Sequence, residues 1–240
     1  MTTGRPFIVA IDGPAGAGKS SAARALAAQL GFALVDTGAI YRTVALAARR
    51  AGIAFDEDTA LEALLPGLRI RFAPPARAGE AQRVLLGEED VSGEIRTPLL
   101  SLGASAVSAR PVVRAGLLEL QRRLALAPEN RGAVLEGRDI GTVVFPDADA
   151  KFFLTASPEE RARRRHAELL SRGESVAIEE VLAEQTRRDR DDSSRAIAPL
   201  RAAPDAVQVD TTGVPLAMVV ERLSGEVVAR FAAAGAGGRR

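Results

Sequence analysis

Several residue types are scarce in this chain of 240 residues, and each scarcity excludes a class of protein. Cysteine is absent, which excludes disulfides and thiolate metal sites and suits a reducing cytoplasm. The one histidine, His166, leaves too few imidazoles for a histidine-based triad or a histidine metal cluster. Lysine occurs only at Lys19 and Lys151, in a chain whose other basic side chains are all arginine.

Net charge and hydropathy exclude two further classes. The chain has 32 basic and 31 acidic residues, so its net charge of +1 creates no field that would attract nucleic acid or a membrane surface. No apolar run is long enough to span a bilayer, and no basic and apolar leader precedes the first predicted strand. We therefore expect a cytoplasmic protein that binds neither nucleic acid nor membranes.

Residues 7–21, FIVAIDGPAGAGKSS, combine a short apolar run with a glycine-rich loop. The run at 7–11 predicts a buried strand. The loop fits the phosphate-binding pattern G-x-x-x-x-G-K-[ST], and its predicted nucleotide-contacting residues are Gly13, Pro14, Ala15, Gly16, Ala17, Gly18, Lys19, Ser20 and Ser21. Backbone N–H groups of such a loop, and the helix start that follows, form a nest for phosphate.

Lys19 and Ser20 have distinct predicted tasks in this loop. Lys19 would reach the outer phosphates of a nucleoside triphosphate, and the Ser20 hydroxyl would ligate magnesium. A compact ammonium suits this position better than a planar guanidinium. The use of lysine here, in a chain that otherwise relies on arginine, therefore supports a phosphate loop over a chance glycine-rich turn.

Strand and helix patterns alternate along most of the chain. After the first strand, buried strands are predicted at 32–35, 133–136, 151–154 and 207–210, and helices at 21–30, 39–51, 157–173, 177–194 and 215–233. This alternation indicates an α/β protein with a right-handed parallel sheet of five strands flanked by helices. The last residues, 235–240, are predicted to form a disordered tail.

The pattern changes between residues 61 and 105. Residues 68–72 alternate apolar and polar side chains, Pro74, Pro75 and Gly79 predict a turn, and residues 83–86 predict a returning strand. The segment GEEDVSG at 87–93 predicts another turn with a short strand. We interpret this region as a small antiparallel insert, followed by helices at 97–109 and 111–127.

Several arginines occupy positions that favour phosphate binding over a purely solvated role. Arg42 and Arg138 follow predicted strands, at the sheet edge where ligands of open parallel sheets bind, and two guanidiniums there could hold a second phosphate. Arg188, Asp192 and Arg195 share one stripe of a predicted helix, as Arg161 and Arg165 do of another. For each of these, an ordinary exposed arginine or a surface salt bridge is the open alternative.

Two absences narrow the reaction. Neither lysine stands in an N-K-x-D motif, which excludes a Ras-like GTPase. No histidine base is at hand, and a phosphate monoester acceptor needs none because it is mostly dianionic at neutral pH (second pKa about 6). A kinase whose acceptor is itself a phosphate therefore fits the composition.

Five stretches of the chain together resemble the bacterial cytidylate kinases, a family of P-loop nucleoside monophosphate kinases. They are IDGPAGAGKS from residue 11, DTGAIYR from 36, GEEDVSGEIRT from 87, EGRDIGTVVFPDA from 136 and RDRDDSSRAIAPL from 188. The resemblance covers nearly all of residues 7–231, and DTGAIYR and GRDIGTVVFPDA are more specific than the phosphate loop. It implies a P-loop NTPase-type fold, in which the antiparallel insert binds the nucleoside monophosphate and a short helical lid closes over ATP.

The resemblance also implies substrates and residue roles. ATP with Mg²⁺ would be the donor and CMP or dCMP the acceptor. Residues implied in binding CMP are Thr37, Arg42, Ser105, Arg114, Arg138, Asp139, Arg188, Asp192 and Arg195. Of these, Thr37 and Arg42 would approach the sugar and phosphate, and Arg188 and Asp192 the ribose. Ser105, Arg114 and Asp139 would read the cytosine edge.

Phosphoryl transfer is expected to depend on a second, overlapping set: Lys19, Arg138, Arg161, Arg165 and Arg195. By the resemblance, Arg161, Arg164 and Arg165 begin the mobile lid, and Arg138 and Arg195 clamp the acceptor phosphate. The family often has serine in place of Thr37 and aspartate in place of Glu136. Thr37 keeps the hydroxyl, while a role for Glu136 in orienting magnesium-bound water stays open.

The predicted domain boundaries follow from the same sequence patterns and the same resemblance. Residues 1–60 and 110–234 form the predicted core with a lid at about 161–195, and residues 61–109 form the insert. We expect a monomer that acts in pyrimidine nucleotide metabolism. Two alternatives remain: a P-loop kinase for another acceptor such as UMP, AMP or a metabolite hydroxyl, and a nucleotide-binding regulatory module with weak hydrolysis.

Overall fold

The structure is a computed structural model that describes residues 5–75 and 81–237, with side chains described up to residue 233. The turn predicted at Gly79 and the predicted tail from 238 onward lie outside these ranges. Within them the strands are β1 (Phe7–Asp12), β2 (Ala33–Asp36), β3 (Ile70–Ala73), β4 (Arg83–Leu86), β5 (Glu89–Asp90), β6 (Gly132–Gly137), β7 (Ala150–Thr155) and β8 (Val207–Asp210).

Helices alternate with most of these strands. In the described ranges they are α1 (Lys19–Leu30), α2 (Thr37–Arg50), α3 (Asp58–Leu64), α4 (Pro98–Ser108), α5 (Pro111–Ala125), α6 (Pro158–Ser171), α7 (Ile178–Ser193) and α8 (Leu216–Gly237). Three single turns complete the order: 3-10 turns at Leu65–Gly67 and Glu94–Arg96, and a π-type turn at Ile140–Val144. No helix of the described part combines the length and apolar character needed to cross a membrane.

The larger sheet has the strand order β2-β6-β1-β7-β8. Strand β1 lies at its centre and pairs in parallel with β6, where Phe7 is opposite Gly132 and Asp12 opposite Gly137. It pairs in parallel with β7 on its other side, and β7 pairs in parallel with β8. Every residue of β1 is buried, as expected for a strand covered on both faces. The predicted five-stranded parallel sheet is confirmed.

The smaller sheet is antiparallel and has the order β3-β4-β5. Ile70 pairs with Leu86 and Ala73 with Arg83, and β5 adds two residues to the other edge of β4. This sheet lies where the alternating pattern and turn residues predicted an antiparallel insert, so that prediction is also confirmed.

One layer of the core packs against the parallel sheet. Helix α1 contributes Ala22, Ala23 and Leu26 to this cluster, and α8 contributes Leu223 and Val227. Small side chains on α1 let the helix approach the sheet closely. The helix ends at Gly31, whose left-handed backbone turns its N–H back to the carbonyls of the last turn. Gly31 therefore caps the C-terminal end of α1.

Internal contacts divide the chain into two compact units. The first contains residues 1–34 and 124–240, and the second contains residues 35–123. The insert predicted at 61–109 lies wholly in the second unit, which also includes α2 and all but the last two residues of α5. Helix α4 approaches α2 closely, because a Cβ added at Gly103 would lie 3.0 Å from the Cβ of Ala45.

The structure adds two features that the sequence patterns did not predict. Helix α3 has seven residues and buries only Leu61, too few positions for a periodic signal. Helix α8 continues through Gly237, so the last helix does not end at residue 233 and the first residues of the predicted tail are helical. The alanines among the last residues of α8 favour a helix more than the flanking glycines oppose it.

Candidate active site

The phosphate loop joins β1 to α1 in the first unit. Gly13 has φ 146°, and a Cβ there would lie 2.0 Å from the carbonyl oxygen of Leu154 in β7, so only glycine fits. Gly18 has a left-handed backbone at the cap position of α1 and supplies no side-chain acceptor to the first amides of that helix. Ser20, the second residue of α1, is exposed. The loop therefore presents helix-start amides and a hydroxyl at the end of the central strand.

Lys19 is buried, and its Nζ donates to the carbonyl oxygen of Pro14 at 2.7 Å. Burial, together with the positive charge of Arg138, lowers the pKa of Lys19 to about 7. The carboxylates of Glu136, Asp12 and Asp192 act in the opposite direction. These groups are therefore close enough to Lys19 to form one electrostatic network around the loop.

Asp12, the last residue of β1, is a buried carboxylate of this network. Its Oδ1 accepts from the N–H of Ile140 and its Oδ2 from the N–H of Gly141, each at 2.8 Å. Burial and the charge of Asp139 raise the pKa of Asp12 from 3.8 to about 6. These two hydrogen bonds and the charge of Lys19 oppose the rise.

Asp192 connects two of the arginines predicted to bind a phosphate. Its Oδ2 accepts from Nε of Arg138 at 2.9 Å, and its Oδ1 lies 2.5 Å from Nη2 of Arg195. Burial raises the pKa of Asp192, but the charges of Arg138, Arg195 and Arg188 outweigh this effect and hold the pKa below its usual range. The carboxylate therefore stays ionised and orients two guanidiniums.

Arg188 completes this cluster on α7. Burial, with the nearby charge of Arg138, lowers its pKa, and its buried Nε has no hydrogen-bond partner. The predicted helical stripe is correct in part, because α7 ends at Ser193 and Arg195 follows it. Arg195 still reaches Asp192 three residues earlier in the chain.

Arg161 of α6 is buried against the phosphate loop. Its Nη1 donates to the carbonyl oxygen of Ala15 at 3.0 Å and lies 2.6 Å from Oδ2 of Asp189 on α7. A Cβ added at Gly16 would lie 2.9 Å from the Cβ of Arg161. Helices α6 and α7 are thus packed directly on the loop, with Arg161 between them.

The side chains of Arg164 and Arg165 on α6 contact different parts of the structure. Arg164 donates to the carbonyl oxygen of Thr211 at 2.6 Å, and its Nη1 would lie 3.6 Å from a Cβ at Gly18. Arg165 forms a salt bridge of 2.9 Å with Glu168 of its own helix. Of the three predicted lid arginines, Arg161 and Arg164 therefore lie at the phosphate loop. Arg165 instead pairs with Glu168 on the surface of α6.

The second unit contains four of the predicted residues, Thr37, Arg42, Ser105 and Arg114, whereas Asp139 lies buried in the first unit. Asp36 caps α2 by accepting from the N–H of Ala39 at 2.8 Å, and its second oxygen lies 3.2 Å from Nη2 of Arg42. Thr37, the first residue of α2, is buried. The cap therefore fixes the start of this helix and orients Arg42, whose buried Nε has no hydrogen-bond partner.

Arg114 lies on α5 in the same unit. Its guanidinium carbon is 5.8 Å from the centre of the Tyr41 ring, and its Nη1 donates to the carbonyl oxygen of Ser108 at 3.0 Å. The Ser108 hydroxyl in turn donates to the carbonyl oxygen of Ser105. The structure thus links Arg114 to Tyr41 of the DTGAIYR motif and, through Ser108, to Ser105.

Three residues of these clusters were missed in the sequence reasoning: Asp12, Asp36 and Asp189. Asp12 and Asp36 each stand at the carboxyl end of a strand, and Asp36 is also three residues before the amide that it caps, so position could have identified both. Asp189 could not be found in this way, because its partner Arg161 is 28 residues away on another helix.

A strand, a glycine-rich loop and a helix that present amides and a lysine at the edge of a parallel sheet define a P-loop nucleotide-binding protein. The sequence profile described as cytidylate kinase matches residues 9–228. A cytidylate kinase of Geobacter sp. (strain M21) is 55% identical over 225 residues, covering 94% of each chain. That of Geobacter sulfurreducens is 54% identical over 219 residues, covering 91% of each. The chain belongs to the cytidylate kinase family.

Solved structures add support for the fold alone. A crystal structure of an uncharacterized protein from Eubacterium ventriosum has a TM-score of 0.51 and 11% sequence identity. The similarity covers 92% of this chain and 98% of that one. A similar fold thus also occurs in a protein whose sequence is very different from this one.

Proposed function

We propose that this chain transfers the γ-phosphoryl group of ATP to CMP or dCMP, forming ADP and CDP or dCDP. Family membership supports the class of reaction. The observation that carries the proposal is the cluster of Arg138, Arg188 and Arg195 around Asp192, which lies in one unit with the phosphate loop and within electrostatic reach of Lys19. A kinase whose acceptor is a phosphate needs such a second cationic site, and a simple NTP hydrolase does not.

The donor phosphates would bind to the backbone N–H groups within residues 13–21, where Pro14 has none to offer, with Lys19 at the outer phosphates. A phosphate beside Lys19 favours its charged form and so opposes the effect of burial on its pKa. The residues also fit a magnesium ion. Ser20 offers an exposed hydroxyl at the helix start, and Mg²⁺ takes few protein ligands beside water and phosphate oxygens. When bound, Mg²⁺ neutralises charge on the transferring phosphates.

The transfer is an in-line displacement. An oxygen of the CMP phosphate forms a bond to the γ-phosphorus of ATP, and the bond from that phosphorus to the β,γ-bridging oxygen breaks, which releases ADP. No proton needs to be removed from a mostly dianionic acceptor (second pKa about 6), so the chain's single histidine is no obstacle. Protein groups contribute position and charge.

Arg138 and Arg195 would hold the acceptor phosphate. Their shared partner Asp192 keeps both guanidiniums oriented, which supports a built phosphate site over two independent surface arginines. Arg188 and Asp192 would also contact the ribose. In this role Asp192 would exchange or share one of its arginine contacts with a sugar hydroxyl.

Helices α6 and α7 would act as the lid over ATP. Arg161 and Arg164 already lie at the phosphate loop, which supports roles for both at the donor phosphates. Arg165 would reach those phosphates only after leaving Glu168. Closure of such a lid would exclude water that otherwise hydrolyses ATP.

Base selection is proposed for Asp139 in the first unit and for Ser105 and Arg114 in the second. A carboxylate accepts from the exocyclic amine of cytosine, and an arginine can donate to a ring nitrogen or carbonyl. Thr37 and Arg42 would bind the sugar and phosphate. The contact of Arg114 with Tyr41 and Ser108 supports a fixed orientation of this guanidinium.

An acceptor panel tests the proposal. ADP formation is measured with ATP and Mg²⁺ and each of CMP, dCMP, UMP, AMP and GMP. We expect kcat/KM to be highest for CMP or dCMP. Preference for UMP or AMP would support the alternative kinase, and slow hydrolysis that no acceptor stimulates would support a regulatory module. We further propose a cytoplasmic monomer, in keeping with the lack of cysteine, and sedimentation of the pure protein tests the monomer.

A further inference from the structure

We propose that Asp12 is a positioning residue that fixes the acceptor-binding segment Arg138–Asp139 to the phosphate loop. Arg138 and Asp139 immediately precede Ile140 and Gly141, whose amides donate to the two oxygens of Asp12. Asp12 itself immediately precedes Gly13, the first residue of the loop. One buried carboxylate therefore connects the donor side of the site to the acceptor side. This inference rests on the function proposed above.

Asp12 lies where the backbone hydrogen bonds between β1 and β6 end. Strand β1 pairs with β6 up to Asp12 opposite Gly137, after which the chain leaves β6 as Arg138 and Asp139. Without a further link, the segment after Gly137 would have no ladder bonds to β1. The Asp12 side chain provides two hydrogen bonds three and four residues beyond the last paired residue of β6.

The same two bonds cap the π-type turn at Ile140–Val144. The first amides of a helical turn have no partners within the turn, and the residue before it commonly supplies an acceptor. Asp139 occupies that position but makes no cap hydrogen bond. Asp12 provides the cap from a neighbouring strand, so the turn and the segment that leads into it keep their position relative to β1.

The backbone next to Asp12 is closely packed. Gly13 lies so near the carbonyl of Leu154 that no side chain fits there. A Cβ added at Gly141 would lie 3.4 Å from Oδ2 of Asp12, so the turn packs directly against this carboxylate. A buried carboxylate in this position can hold Arg138 and Asp139 within the small tolerance that phosphoryl transfer requires.

The chain offers a matched control in Asp149. Its Oδ2 accepts from the N–H of Ile8 at 2.7 Å, at the opposite end of the same strand β1. Asp149 also pairs with Arg5. Both aspartates thus accept from backbone amides beside the central strand, but only Asp12 is next to the loop. A general loss of sheet stability would follow either substitution, whereas a positioning effect would follow only one.

The test compares Asp12→Asn with Asp149→Asn in steady-state assays of the full chain with ATP, Mg²⁺ and CMP. The asparagine side chain keeps one oxygen as an acceptor for the first amide of the turn. Its NH2 group then faces the second amide N–H, which loses its acceptor. We expect Asp12→Asn to raise KM for CMP at least about fivefold and to lower kcat, with KM for ATP within about twofold. We expect Asp149→Asn to leave both KM values within about twofold.

Amide exchange provides a second readout that is independent of activity. In the wild type, the amides of Ile140 and Gly141 should exchange as slowly as those of β1, and Asp12→Asn should accelerate these two selectively. If Asp12→Asn does not fold, the exchange rates of the Ile140 and Gly141 amides in the wild type remain the deciding measurement. Equal changes in both KM values, an unchanged KM for CMP, or fast exchange in the wild type would overturn the inference. Failure of the wild type to phosphorylate CMP would instead overturn the proposed function.

Discussion

Nη1 of Arg161 lies 2.6 Å from Oδ2 of Asp189, and the same nitrogen donates to the phosphate-loop carbonyl of Ala15. Arg161 is buried, so its charge needs this pairing. The other carboxylate oxygen of Asp189 is buried without a hydrogen-bond partner. The pair therefore connects α6, α7 and the loop, and it leaves one acceptor unused.

We expect Arg161→Ala to lower turnover at least about tenfold while the affinity of the free enzyme for CMP changes little. The reason is that a charged hydrogen bond contributes about 1.5–3 kcal/mol, and this one lies on the donor side of the site. Arg163→Ala on the same helix is the control, because Arg163 is exposed and pairs only locally with Glu160. Calorimetry in which CMP binding collapses while ATP binding holds would show that α6 is misassigned.

Sequence reasoning located the parallel sheet and the phosphate loop because both depend on local signals. A buried strand and a glycine-rich loop each occupy contiguous residues, as β1 and the loop that begins at Gly13 illustrate. It predicted Arg138 and Arg195 near one another only through position and resemblance. The resemblance implied a ribose contact for Asp192, and it did not predict that this carboxylate also orients the two arginines.

The pairings that sequence reasoning missed are those that join distant segments. Asp12 bonds amides 128 and 129 residues away, and Asp189 reaches Arg161 on another helix. Neither contact has a periodic or compositional signature, because each is created by the register of parallel strands or the packing of two helices. The π-type turn at Ile140–Val144 was missed for the same reason, since its cap is supplied from another strand.

The two lysines of the chain provide a second prediction. We expect Lys19→Ala to lower kcat at least about a hundredfold with the fold intact, because a central charge contact of the transition state is lost. Lys151→Ala is the matched control, since Lys151 is equally buried but pairs with Asp205 and the carbonyl of Pro146. This control should lower the melting temperature and keep most of the turnover. A Lys19→Ala enzyme with a third of wild-type turnover would exclude a catalytic phosphate loop.

Asp12 predicts a specific dependence of stability on pH. Burial raises its folded-state pKa from 3.8 to about 6, with Asp139 adding to the rise and Lys19 and the amides of Ile140 and Gly141 opposing it. A carboxyl group whose pKa is higher in the folded than in the unfolded protein contributes stability that is fully present below its pKa in the unfolded protein. This contribution is lost as pH rises through its pKa in the folded protein.

The unfolding free energy of wild type minus that of Asp12→Asn should therefore fall by about 2 kcal/mol between pH 4.5 and 7. Urea unfolding at the two pH values measures this difference, and titrating groups that do not interact with Asp12 cancel between the two proteins. A difference that is flat or rises with pH would contradict a raised pKa of Asp12. The predicted fall means that an ionised Asp12 lowers the stability of the protein at neutral pH.

Asp139 provides the sharpest prediction about base selection. It is buried at the end of the segment that Asp12 holds, directly before the π-type turn. Cytosine presents an amine donor where uracil presents a carbonyl acceptor, so a carboxylate attracts the first and repels the second. Asp139→Asn removes the charge and can present either a donor or an acceptor.

We therefore expect Asp139→Asn to lower kcat/KM for CMP by roughly one to two decades, in line with a charged hydrogen bond of about 1.5–3 kcal/mol. UMP efficiency should fall much less, because the variant no longer repels the uracil carbonyl, and the CMP-to-UMP ratio should narrow. Both acceptors are assayed at saturating ATP, with Asp191→Asn on the exposed side of α7 as the control. An unchanged ratio would mean that the base is read elsewhere, and Ser105 and Arg114 of the second unit would then be the residues to substitute next.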